Sequence, residues 1–135
     1  MREVWAHGAP TVAQPHDRRG RPVPPWDMGA YAPAGCLRGT ARGTLALSIA
    51  SMDPPASMAA AIALSLTPRR AGRALEAGLG WMRSAGTRGT RMWWHNGGTN
   101  GSRAFTGFIP ERSQAFAAVT NSPRAMEGAA HDSWA

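Results

Sequence analysis

The sequence predicts an α/β fold of the segregated, α+β kind: an irregular Pro/Gly-rich segment, two to three helices, then an antiparallel sheet of about four strands. Apolar residues between positions 41 and 66 recur at helical spacing, and after Gly78 the period becomes an extended one. The strand-like runs that follow are joined by connections too short for crossover helices. A length of 135 residues suits one domain, and a hydrophobic content of 43% supplies a core.

The elements follow in order. Most of the prolines lie between residues 7 and 35, including Pro22-Val23-Pro24-Pro25-Trp26, with glycines at 8, 20, 29 and 35. Such punctuation forbids regular helix or central strand, so residues 1–39 read as an irregular wrapping segment with Trp5, Trp26, Met28, Tyr31 and Leu37 as apolar anchors. Thr40 is an N-cap for a helix over 41–52, with Leu45, Ile49 and Met52 on one stripe, ended by Asp53-Pro54-Pro55. Residues 56–66 form a second helix, with Met58, Ile62 and Leu66 facing inward, and 70–77 add a short third turn. These stripes read as core packing, with no cofactor pocket. Strands are predicted over 79–83, 90–95, 103–109 and 114–120, the last two joined by a four-residue hairpin around a type I turn. The last strands are apolar on both faces, through Phe105, Phe108, Ile109, Phe116 and Val119, so both faces should be covered. The parts are then a wrapping segment (1–39), a helical part (40–77), strands (78–122) and a tail (123–135).

The formal charge is +7 and all 15 basic residues are Arg. They are scattered, with Arg18-Arg19-Gly20-Arg21 and Arg69-Arg70 the clusters, and lack the aromatic interleaving of a phosphate-tracking groove. A solvated surface is favoured over a nucleic-acid interface. The single Cys36 rules out an intrachain disulfide and a Cys-based metal cluster, and its apolar context reads as a small packed residue. His7, His16, His95 and His131 are too far apart, without paired carboxylates, for a metal motif, and no dinucleotide or Walker glycine pattern occurs. No cofactor and no metal are expected. No run reaches the length of a membrane span, and the first residues lack the apolar core of a signal peptide.

One stretch carries chemistry: Trp93-Trp94-His95-Asn96-Gly97-Gly98-Thr99-Asn100-Gly101, running into Ser102-Arg103-Ala104-Phe105-Thr106-Gly107-Phe108-Ile109-Pro110. On spacing alone, residues 96–101 read as a hairpin turn, because Asn-Gly and Gly-Gly are turn dipeptides. The stretch also resembles the third active-site motif of the serine β-lactamase and penicillin-binding-protein superfamily, in its class C-like members. There Lys-Thr-Gly or His-x-Gly sits on the strand beside the catalytic serine. Further segments resemble the same superfamily in the same order: Gly20-Arg21-Pro22-Val23-Pro24-Pro25-Trp26, Ala34-Gly35-Cys36-Leu37-Arg38-Gly39-Thr40-Ala41, Gly78-Leu79-Gly80-Trp81, and the Phe-x-Pro-Glu-Arg hairpin ending in Val119-Thr120-Asn121-Ser122. The chain departs from the pattern at Cys36 and Gly39, and it has Gly43-Thr44 where an acidic residue usually stands in the first helical turn.

The resemblance implies that this is the C-terminal part of a β-lactamase-like fold, hence a partial domain. It implies that the Gly98 N–H is one of two oxyanion donors, and that His95 projects toward nucleophile and base. Asn96, Gly97, Thr99 and Asn100 would contact substrate, with the glycine pair bare so that substrate lies along the strand. The reaction implied is hydrolysis of a β-lactam, a peptidoglycan peptide or a small ester through an acyl-enzyme. The chain departs decisively in what it lacks. No serine has a Lys three residues on, since there is no Lys at all, and the lone tyrosine, Tyr31, is followed by Ala32-Pro33, so Tyr-x-Asn is absent. The expected partners are a small-molecule acyl substrate in the complete protein and the missing N-terminal part, and relatives are often exported. By itself the chain is expected to be silent. The alternative is a non-catalytic basic module that binds nucleic acid or an acidic protein.

Overall fold

A computed structural model describes residues 12–35, 37–71 and 75–124. Trp5, His7, Cys36, His131 and most of the tail, about which the sequence raised expectations, lie outside them.

The segment before Thr40 is irregular, as its prolines require, but it is tied down. Residues 15–23 close on themselves through an isolated bridge between His16 and Pro22 and a bond from the Val23 N–H to the Pro15 carbonyl (3.0 Å). Asp17 caps this loop, accepting from the Arg19 and Arg21 backbone N–H groups at 2.8 and 2.9 Å. Backbone and side-chain hydrogen bonds from Arg21 hold the Asp17 carboxyl below the usual carboxylate range. The ban on helix is too strict. A 3₁₀ turn over Gly29–Tyr31 leads into one helical turn, α1 (Ala32–Gly35). Pro33 is tolerated there because its missing N–H falls in the first turn. Trp26, Tyr31 and Leu37 are not buried anchors; all three are largely exposed.

Helix α2 (Ala41–Met52) matches the predicted span, and Thr40 caps it by accepting from the Gly43 N–H at 3.1 Å. Its orientation differs in part from expectation: of the stripe Leu45, Ile49 and Met52, Met52 packs against the core and Ile49 is turned outward. The buried residues are Ser48 and Ser51, while Leu47 and Ile49 are each 49% exposed. The physical reason is size. The sheet beneath α2 presents Thr106, Ala115 and Ala117, so the helix approaches closely on its serines. Ser48 is fully buried and shares a 2.6 Å hydroxyl bond with Thr106. Thr106 in turn donates to the Phe116 carbonyl at 3.2 Å, which leaves Ser48 as the donor of the pair. Helix α3 (Ala59–Ser65) is shorter than predicted, because residues 56–58 form a turn after Pro54-Pro55. Ile62 is buried as expected, and Met58 is not.

The third helical turn over 70–77 does not form. Instead β1 (Arg70–Ala71) and β2 (Leu75–Ala77) pair antiparallel and begin the sheet within the part expected to be helical. The sheet continues through β3 (Met82–Ala85), β4 (Arg91–Thr99), β5 (Ser102–Ile109) and β6 (Gln114–Thr120). Among the described residues it is a pure antiparallel meander, β1-β2-β3-β4-β5-β6, so six strands stand where about four were expected. The predicted strand over 79–83 starts later, since Gly80 takes φ +76° and turns the chain before Trp81. The hairpin between β5 and β6 is the predicted tight one: a 3₁₀ turn over Pro110–Arg112 is closed by Ser113 at φ +51°.

The register sets the core. Glu76, Arg83, Trp93, Phe108 and Ala115 are successive cross-strand partners and so share one face. Phe108 is fully buried and meets Trp81 edge-on, with ring centroids 5.0 Å apart. Met52 and Leu66 pack against this cluster from α2 and from the residue after α3. Arg83 lies over the Trp93 ring at 5.1 Å and pairs with Glu76. The opposite face carries Trp94 stacked on Phe105, with Phe116 beyond.

Candidate functional site

Strand β4 is paired on both sides over only part of its length. Its pairing with β3 runs from Arg91 to Trp94, opposite Met82. Its pairing with β5 runs from Trp93 to Thr99, opposite Ser102. Residues 95–99 are therefore paired with β5 alone, and among the described residues no strand covers their other edge. This edge is the stretch His95-Asn96-Gly97-Gly98-Thr99. It is strand and not turn: the turn is Asn100-Gly101, and Gly101 alone in it takes a positive φ, +76°.

That two-residue connection fixes which peptide groups look outward. A two-residue hairpin is closed by a hydrogen-bonded pair, and hydrogen-bonded pairs alternate along an antiparallel ladder. With Thr99 opposite Ser102 as the closing pair, Thr99, Gly97 and His95 bond to β5. Asn96 and Gly98 then turn their backbone groups to the other side. The Gly98 N–H faces the uncovered edge.

The two glycines differ in surroundings. A Cβ on Gly97 would meet nothing within 4 Å. A Cβ on Gly98 would strike the Arg103 guanidinium, at 2.5 Å from Nη1. The bareness of Gly98 is thus used from within the chain, by the side chain of its cross-strand partner. Arg103 Nη1 donates to the carbonyls of Thr99 (3.1 Å) and Ser102 (2.9 Å), clasping the turn.

His95 is exposed and lies on the α2 face of the sheet, opposite Thr106 in register. Asn96 is half-buried on the other face, opposite Phe105. Asn100 reaches away from the strand, and its Nδ2 donates to the Pro24 carbonyl at 3.1 Å. That bond, with His16 N–H donating to the carbonyls of Gly101 (3.3 Å) and Asn121 (3.0 Å), moors the Pro-rich segment against the turn. Between them lies an open groove of about 460 Å³. Residues 96–101 form one wall, and Trp26, Arg103 and Pro123 complete it. His95 does not line it. Trp26 carried a signal in the sequence as part of the Pro-Trp segment. Arg103 carried none, because its role depends on the register that sets it opposite a glycine.

Among the described residues no three His, Cys, Asp or Glu side chains gather where they would hold a metal. No helix among them is long and apolar enough to cross a membrane.

Helices on one face of an antiparallel meander, with a glycine-bearing strand whose edge is left open beside a moored Pro-Trp segment, define a class: an α+β protein with an uncovered backbone edge on its sheet. A family model described as Beta-lactamase matches residues 3–135, and the chain belongs to the Beta-lactamase family. No match was found among curated proteins. The family places the chain with β-lactamase-related hydrolases.

Proposed function

We propose that this chain supplies the substrate-edge wall of a β-lactamase-related serine hydrolase, and that by itself it does not acylate. The observation that supports this most is the uncovered run 95–99 of β4 with the Gly98 N–H turned outward. An acyl group lying along that edge has its carbonyl oxygen within reach of an N–H that the fold has fixed in place before any ligand arrives. Such a donor needs no reorganisation when negative charge develops on the oxygen. His95, at the other end of the run, is an exposed donor or cation able to meet a substrate oxygen or a neighbouring base. Asn96, Gly97, Thr99 and Asn100 complete the wall, and the substrates that fit this reading are β-lactams, peptidoglycan peptides or small esters.

An acyl-enzyme also needs an activated nucleophile, and the sequence holds neither Ser-x-x-Lys nor Tyr-x-Asn. Incubating the purified chain with a fluorescent penicillin and with a nitrophenyl ester should give no label that survives denaturation and no release of nitrophenol above the buffer rate. A covalently labelled band would overturn the reading.

A further inference from the structure

We infer that the outer edge of β6 is an assembly surface for a second copy of this chain: two copies join edge to edge about a two-fold axis at Ala117, and their sheets run on as one. The join lies two strands away from the open run of β4, so it stands apart from the reading of that run as an acyl-binding wall.

The hydrogen-bond phase of β4 carries across the sheet. Ser102, Ala104, Thr106 and Phe108 bond to β4, so Arg103, Phe105, Gly107 and Ile109 bond to β6. Their partners there are Thr120, Ala118, Phe116 and Gln114. The bond from the Thr106 hydroxyl to the Phe116 carbonyl agrees with this, since it needs that carbonyl on the β5 side. Ala115, Ala117 and Val119 are left with their N–H and C=O groups pointing outward, and no described strand lies beyond β6.

That edge is self-complementary. In an antiparallel join centred on Ala117, Ala117 meets Ala117 and Ala115 meets Val119, and each such pair exchanges two hydrogen bonds. The side chains fit as well: Phe116 falls opposite the small Ala118, and no like charges oppose each other along the strands. β6 also lacks what ordinarily keeps sheet edges apart. It has seven residues, no Pro and no charge, and its register on β5 is unbroken by a bulge. The other end of the sheet is protected, because β1 is two residues long and carries Arg70. Helix α2 touches both β5 and β6, and with strands about 4.8 Å apart a helix over that seam lies about 10 Å from its counterpart across the join, a packing distance and not a clash. The join also brings Glu111, in the connection before one β6, to the end where the other copy carries Arg124. Neither is in an ion pair among the described residues. Arg112 shares that end, so this attraction is modest.

Sedimentation of the whole chain, with amide exchange followed by NMR, tests the join. The chain should sediment at its own mass at about 5 μM and at twice that mass at about 500 μM, as a weak strand-to-strand contact requires. Over the same range the N–H groups of Ala115, Ala117 and Val119 should come to exchange several-fold more slowly. Ala117→Pro removes an outward N–H that β5 does not use, and Val119→Lys puts a charge beside the edge at a side chain that is 45% exposed. Each should weaken association at least about tenfold. Val119→Lys and the exchange rates of the unaltered chain keep the test open if the proline variant folds poorly. A chain that stays single at the higher concentration, with those three amides exchanging freely, would overturn the inference. So would a single chain with the three amides protected, because a segment of the same chain would then cover β6. A dimer that neither variant weakens would place the contact on another surface and equally overturn it.

Discussion

Two adjacent glycines in the same strand do different work, and their substitutions should separate. Gly97→Ala places a methyl group in open space and should change stability by no more than about 0.5 kcal/mol. Gly98→Ala drives the Arg103 guanidinium off its two carbonyls and should cost about 1 kcal/mol. Urea unfolding of the two variants beside the parent chain measures the difference, and equal values would contradict the clasp. The sequence made both glycines legible as bare backbone but not what uses the bareness. The occupant of the space over Gly98 comes from the next strand, and only the register identifies it. Residue types likewise failed to foretell that Trp26, Tyr31 and Leu37 would stay exposed, since composition marks a side chain as apolar without naming what covers it.

Element boundaries were most legible where local chemistry sets them. The Thr40 hydroxyl, a Pro-Pro stop and the 110–113 turn act through neighbours in sequence, and α2 and β6 fall where those signals put them. Less legible was which side of α2 faces inward, because that is decided by the small residues of β5 and β6. The rotated helix has a measurable signature. Thr106→Val leaves the buried Ser48 hydroxyl without its acceptor, and should cost about 1–2 kcal/mol. Replacing Leu47 and Ile49 on the outward side with Gln should leave the urea midpoint nearly unchanged. The short strands β1 and β2 escaped the sequence reading for a related reason. Two or three residues carry no period of their own, and they are strands only because β3 lies beside them.

At the scale of the molecule, one layer of helix covers one face of the sheet over β5 and β6, and the outer side of that layer is itself apolar. Leu47, Ile49, Met58 and Leu64 are all about half exposed on α2, on α3 and at its cap. A solvated helix ordinarily shows the reverse pattern. The folded chain should therefore bind a hydrophobic-surface dye such as ANS without denaturant, and the Gln pair at 47 and 49 should weaken that signal several-fold. Absence of dye binding by the parent chain would count against an exposed apolar layer. The broad architecture of helices followed by a meander was readable because the change of period at Gly78 divides the chain once. The open edge of β4 was not, because it results from a difference in reach between two neighbouring strands. Residues 90–95 and 103–109 gave no sign of how far each partner would extend.

The two-residue turn at Asn100-Gly101 has a consequence for how this protein can vary. The alternation that sends Trp93 and Phe108 to the core face is the one that points the Gly98 peptide outward, and β3 pins it at Trp94 while the turn pins it at Thr99. Adding one residue between Asn100 and Gly101 would shift β5 by a step, carrying Phe105 and Phe108 to the wrong faces or opening a bulge. The uncovered edge and the packed interior thus share a single phase. A change of turn length there cannot move the open edge without also dismantling the core, and the 110–113 turn carries the same constraint for β6, whose Ala115 and Ala117 lie on the face that α2 covers.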